Sequence, residues 1–247
     1  MRNENKLSVR ICALYCDSDE KFKDKFIEHH RKLAIPISLC KVTTDKEKEI
    51  GITFSEIEDV YVYGYELNLH EFDFSTAKNA LLQNVQEDIV IYLDIDEHLV
   101  TDPYFIGEVL ERFNDDEKIG GAMVKIASYT AYNEKNDCTM SVVDTIRIFR
   151  SKYRYKNRCH EDVVYSIVEG GGKIIRSRIL FQHYGYIDGY KNAKKLLRNL
   201  RLICKDIAEG YEDTETEWHR QSFAINMLKE TIADLKNTGV YIDSNVE

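Results

Sequence analysis

The strongest constraint on what this chain can fold into is the run Ile89-Val90-Ile91-Tyr92-Leu93. Five apolar residues in succession, three of them β-branched, cannot present one wet and one dry face, so they predict a short strand covered on both sides. Such a strand belongs inside a sheet that carries helices above and below it. The preceding sequence agrees. Val9 to Tyr15 reads as a first strand, and Asp17-Ser18-Asp19-Glu20 is a polar turn that offers helix caps. A helix to about Leu33 places Phe22, Phe26, His30 and Leu33 on one face. Pro36 restarts the chain, Ile37 to Val42 and Val60 to Tyr65 read as strands, and Phe74 to Val85 reads as a helix capped by Asp73 or Ser75. This alternation predicts an α/β fold with a mostly parallel, Rossmann-like central sheet flanked by helices.

Beyond residue 118 the pattern changes. Ala122 to Ala127 and Asp144 to Phe149 alternate apolar and polar residues, which predicts a small antiparallel or edge portion. Gly170-Gly171-Gly172 reads as the turn of a hairpin between strands Val163–Ile167 and Ile174–Phe181. From Tyr190, Ala193, Leu196, Leu197, Leu200, Ile203, Cys204 and Ile207 recur at helical spacing, and Ala224, Met227, Leu228, Thr231 and Leu235 do so again. No repeat or low-complexity linker separates these C-terminal helices, so the expected organisation is one domain over 1–187 with a helical extension, 188–247, packed on it.

Composition narrows the partners. The 247 residues are 43% hydrophobic, enough for a sizeable core, and 34 Lys and Arg against 43 Asp and Glu give a charge of −9, unlike a generic polyanion binder. Cys12, Cys16, Cys40, Cys138, Cys159 and Cys204 form no CxxC pair or zinc-ribbon spacing and read as reduced thiols. No apolar run approaches the ~18 residues that span a bilayer. The expectation is a protein without a transmembrane segment, in the cytoplasm.

Ligands of open α/β sheets bind outside the carboxyl ends of the strands, and here Asp94-Ile95-Asp96-Glu97 follows the most apolar strand. Asp94 and Asp96, two residues apart, would point the same way in extended geometry and could converge on one cation. Carboxylate oxygens suit Mg²⁺ or Mn²⁺, which keep open positions for substrate phosphates. The plain alternative is a solvated acidic turn. No GxGxxG follows the first strand, which disfavours a Rossmann dinucleotide site.

Four blocks in order then point to a family. Phe72-Asp73-Phe74-Ser75-Thr76-Ala77-Lys78-Asn79, followed by Ile91-Tyr92-Leu93-Asp94-Ile95-Asp96-Glu97, resembles the "DFSxARN … LDADE" pattern of family 2 glycosyltransferases with the GT-A fold. Arg147-Ile148-Phe149-Arg150 with Tyr155 to Glu161 resembles "RLFR … YxGRxHE", His183-Tyr184-Gly185-Tyr186 resembles "HYGY", and Lys195 to Leu202 follows the family's "K-x-x-RNL-x-L" helix. The likeness is greatest to the branch that includes bacterial core-glycan glucosyltransferases and peptide S-glycosyltransferases.

The resemblance implies an inverting, divalent-metal-dependent hexosyl- or pentosyltransferase. Its donor would be a nucleotide diphosphate sugar, a UDP-sugar foremost, and its acceptor a glycan, lipid-linked sugar, peptide or modified nucleic-acid base. It implies Asp96 as a direct metal ligand, Asp94 reaching the ribose or the metal through water, and His183 joining the metal or diphosphate. Lys78, where the family has arginine, would contact the donor's base or diphosphate, with Asp73 beside it on the donor side. Glu161 is the candidate general base, since an inverting displacement needs one carboxylate to take the acceptor's proton, with His160 and Asp162 flanking it. Arg147 and Arg150 read as sharing a strand face, as phosphate ligands or salt-bridge partners. The competing readings are a metal-dependent nucleotidyl- or phosphotransferase, and a non-catalytic nucleotide-sugar-binding module.

Overall fold

The structure is a computed structural model that describes residues 6–55, 61–132, 138–186, 189–209 and 215–237. Its first half is β1 (Val9–Tyr15), α1 (Glu20–Arg31), β2 (Ile37–Thr44), β3 (Gly51–Ser55), β4 (Val62–Leu69), α2 (Phe74–Leu82) and β5 (Ile89–Tyr92). There follow β6 (Glu97–Leu99), α3 (Tyr104–Asp115), β7 (Ile119–Tyr132), β8 (Cys138–Arg150), α4 (Val164–Glu169), β9 (Lys173–Tyr186), α5 (Gly189–Glu209) and α6 (Glu215–Asn237). One nine-stranded sheet runs in the order β3-β4-β2-β1-β5-β8-β7-β9-β6. The strands β4, β2, β1 and β5 are parallel, while β8 returns antiparallel on β5 and β7 antiparallel on β8. β9 is parallel to β7 and receives the short β6 antiparallel. The fold is therefore α/β, with helices on both faces of the sheet.

The apolar pentad sits where its composition demands. Ile89 and Ile91 point into one core layer with Ile11, Phe26 and Phe113, under α1 and α3. Val90 and Tyr92 point into the opposite layer with Leu81, Leu82 and Phe149, under α2. Each large side chain so buried contributes about 1.5–3 kcal/mol. The C-terminal helices add a small third cluster in which Leu202, Ile203 and Ala224 meet Cys159, with Phe74 against it. Of the basic residues expected along α5, the side chains of Lys191, Lys194 and Lys195 lie outside the described residues. The cysteines Cys12, Cys16, Cys40, Cys159 and Cys204 are free. Among the described residues no helix is long and apolar enough to cross a membrane.

One element differs from its sequence reading. Val163–Ile167 is not a hairpin strand, since Val164–Glu169 forms α4. The Asp162 carboxylate accepts the Val164 N–H at 2.8 Å just ahead of the helix, whose N-cap is Val163, and Ile167 is its buried anchor. The glycines end it. Gly171 lies at φ +69°, Gly172 N–H donates to Ile167 O and Gly171 N–H to Val168 O, the paired bonds of a Schellman motif. Three glycines signal a helix stop here as well as they would signal a hairpin turn.

A buried histidine gives the core an acid limit. His30 on α1 is fully enclosed, its Nδ1 lies 2.9 Å from Phe26 O, and the His29 and His98 rings lie nearby. Burial, with those neighbours, pushes its pKa down to about 3. The unfolded chain, with its histidine near 6.5, thus binds a proton that the folded chain refuses between about pH 6.5 and 3. The stability is complete above that window and is lost as pH falls through it. Between pH 7.5 and 5, wild type is expected to lose about 2 kcal/mol more than His30→Leu. Urea denaturation at the two pH values checks this.

Candidate active site

The chain leaves β1 for β2 and β4 on one side of the sheet, then crosses back through α2 to β5 on the other side of β1. In sheets with such a reversal the ligand crevice lies at the carboxyl ends of the strands on either side of it, here β1 and β5. β1 ends there at Tyr15, and β5 there gives way to Asp94.

The acidic residues do not stay extended. Glu97 N–H donates to Asp94 O at 2.9 Å, and the Glu97 carboxylate takes the Asp94 N–H at 3.1 Å, so residues 94–97 close into a turn. Residues 94–97 are therefore not extended, the geometry in which Asp94 and Asp96 are expected to point the same way, although both carboxylates act on the His183 imidazole. Asp96 faces His183, with Oδ1 and Nε2 3.2 Å apart. That contact follows from register, because β6 sets Glu97 opposite His183 and β7 sets Ser128 opposite it from the other side. The Ser128 hydroxyl lies 3.2 Å from His183 Nδ1 and fixes the ring's orientation. Burial alone would depress the imidazole, but the Asp96 carboxylate outweighs it and holds His183 above the ordinary histidine value.

Asp94 is held by cations. Arg147, from β8, donates from Nη2 to Asp94 Oδ2 at 2.9 Å and from Nε to Glu97 Oε2 at 3.0 Å. The Glu97 side chain is 1% exposed and the Asp94 side chain 43%, so the first is a buried anchor and the second remains open to a ligand. Burial opposes ionisation of Asp94, yet Arg147 and Lys78 hold it well below the usual carboxylate range. Arg147 and Arg150 do not share a face, because residues three apart on a strand project oppositely. Arg150 instead donates to the carbonyls of Ile119 and Phe113.

Asp73 and Lys78, expected on the donor side, already hold partners within the protein. Asp73 is the N-cap of α2, accepting the Thr76 N–H at 3.0 Å and the Thr76 hydroxyl at 2.8 Å. The Arg158 Nε is 3.6 Å away on its other side. Lys78, one turn into the helix, is 3% exposed and stands between the rings of Tyr92 and Tyr155, 4.9 and 4.8 Å from their centroids. Its ammonium lies 2.6 Å from Glu161 Oε1 and 3.7 Å from Asp94 Oδ1. Burial would depress it, but Glu161 and Asp94 prevail and raise it above the ordinary lysine value.

Glu161 stands on a loop whose base is a two-way bridge, Lys156 N–H to Asp162 O and Asp162 N–H to Lys156 O. Asn157 and His160 within it lie at φ +68° and +53°, a conformation that costs non-glycine residues energy and persists where surroundings enforce it. The enforcement is visible: Asn79 on α2 exchanges two hydrogen bonds with the Tyr155 backbone, and Asp206 on α5 accepts the Arg158 N–H at 2.8 Å. Asp162, the alternative base, has its carboxylate committed to the start of α4. Arg147, Asn79, Ser128 and Asp206 thus shape the site, and for Ser128 and Asp206 the sequence holds no local signal.

The metal expectation divides along the same lines. Asp96 and His183 are in contact, whereas Asp94 turns to Arg147 and Lys78. Among the described residues no three His, Cys, Asp or Glu side chains gather as a metal cage.

No family model matches the chain, and no curated protein matches it. Among solved structures it is similar to residues 1–349 of S. aureus TarS in complex with UDP-GlcNAc, at 10% identity and a TM-score of 0.43, over 92% of this chain and 72% of that one. The same protein in complex with UDP gives 10% identity and 0.42, over 97% of this chain and 74% of that one. Overlaps this loose establish neither family nor activity.

Proposed function

We propose that this chain is an inverting glycosyltransferase of the GT-A type that takes its sugar from a nucleotide diphosphate donor, a UDP-sugar foremost. The observation that carries the reading is the position of Asp94 and Glu161 on one buried ammonium at the β1/β5 crevice. A single displacement needs one carboxylate to take the acceptor's proton, and Glu161 stands one cation away from the open Asp94. In that displacement the acceptor's O–H proton passes to the Glu161 carboxylate as its oxygen bonds to the sugar's anomeric carbon. The bond from that carbon to the diphosphate oxygen breaks, and its electron pair leaves with the nucleoside diphosphate. General-base help of this kind is worth about 10²–10⁴ in rate.

Asp96 and His183 fit the roles of first ligands to Mn²⁺ or Mg²⁺, and they suit it better than Asp94, whose oxygens face two cations. A divalent cation there would neutralise the departing diphosphate. Ser128 keeps the His183 ring turned toward Asp96, and Arg147 fixes Asp94 where a ribose hydroxyl could donate to it.

Calorimetry with UDP and UDP-sugars tests the reading. Binding is expected in the presence of Mn²⁺ and is expected to weaken at least about tenfold in Asp96→Ala. If no UDP-sugar binds with or without Mn²⁺, the donor assignment is wrong. If Asp96→Ala binds as wild type does, the metal assignment is wrong.

A further inference from the structure

Resting on that reading, we infer that Lys78 is the positioning residue of the transfer: a permanently enclosed cation that fixes the base Glu161 against the donor-side Asp94. The surroundings leave it little else to do. Its stem is sealed within α2, and its head is walled by Tyr92 and Tyr155. The hydroxyls of both tyrosines and the Lys78 ammonium itself are buried without a hydrogen-bond partner, so the lysine meets the two carboxylates as a charge. Of the two carboxylates, Glu161 is the nearer, at 2.6 Å against 3.7 Å for Asp94.

The supports of the pair converge as well. α2 carries Lys78 and, through Asn79, grips the backbone of Tyr155 at the entry to the Glu161 loop. Helix, lysine and base loop are therefore tied together. Lys78 need never touch the substrate. It acts through Glu161, holding that carboxylate aimed, since a glutamate with 14% of its side chain exposed would otherwise be free to turn away.

Hydrolysis of UDP-glucose and UDP-N-acetylglucosamine with Mn²⁺, read as UDP release, supplies an assay that needs no acceptor. Lys78→Met is expected to lower turnover roughly 100-fold while donor Kd stays within about threefold of wild type. In a Glu161→Gln background the same change is expected to have no further effect beyond about threefold, because the lysine acts through that carboxylate. Lys78→Arg, which keeps the charge, is expected to stay within roughly tenfold of wild type and serves if the Met variant does not fold. Turnover by Lys78→Met within about threefold of wild type overturns the assignment, as does a second full loss in the Glu161→Gln background or a roughly 100-fold loss in Lys78→Arg. A wild-type chain that neither binds nor hydrolyses a UDP-sugar overturns the donor reading itself, and this inference with it.

Discussion

Arg147→Leu is expected to destabilise the fold by about 3–5 kcal/mol, among the largest effects of any single change in this chain. The guanidinium lies between two carboxylates, and one of them, Glu97, has essentially no access to water. Burial already pushes the Glu97 carboxyl up, with Arg147 the main opposing influence. Leucine would fill the volume but leave Glu97 to take up a proton or drag water inside. The turn over 94–97 rests on the placement of this side chain, because Glu97 Oε2 accepts the Asp94 N–H. Arg147→Leu should therefore lose donor binding together with stability. Lysine should recover little of either, since a single ammonium cannot make the forked contact to both carboxylates. Denaturant unfolding at neutral pH measures the loss. Stability within about 1 kcal/mol of wild type would mean that the Arg147 cluster is not the anchor described here.

Glu161→Gln is expected to reduce sugar transfer or donor hydrolysis about 10²–10⁴-fold. The amide keeps the shape and leaves an oxygen to face Lys78, but it cannot take a proton from the nucleophile. Donor affinity should change little, because Glu161 faces Lys78 and not the acid turn. This separation of turnover from binding marks a base and distinguishes it from a structural acid, whose loss would move both. A fall of less than about tenfold would move the proton acceptor elsewhere. Asp162 is a poor substitute, since its carboxylate holds the first turn of α4 and burial pushes its pKa up.

Much of the scaffold is legible in the sequence because it rests on local pattern. Ile89 to Leu93 announces a doubly covered strand by having no polar residue, and Asp73 announces the start of α2 by cap chemistry. The strand β3 is harder to read, since Gly51 to Ser55 is a partly exposed edge strand with little apolar signal. The three-residue β6 is harder still, yet its pairing with β9 is what delivers His183 to Asp96. The site divides the same way. Motif residues Asp94, Asp96, Glu161 and His183 can be picked out along the chain, but how they pair depends on a turn and on registers that no local spacing encodes. Lys78 shows the limit most clearly. Its type and place in the α2 block are visible, while its confinement between Tyr92, Tyr155 and two carboxylates exists only once α2, β5 and the loop before α4 have packed.

Anomalous diffraction at the manganese edge, from crystals grown with UDP and Mn²⁺, tests the central claim most directly. A single strong peak is expected at the end of β5, within coordination distance of Asp96 and His183 and in contact with the diphosphate, with the ribose beside Asp94. Nucleotide and metal bound elsewhere, or nucleotide in the crevice with Asp96 still paired to His183 and no ion between them and the phosphates, would contradict it.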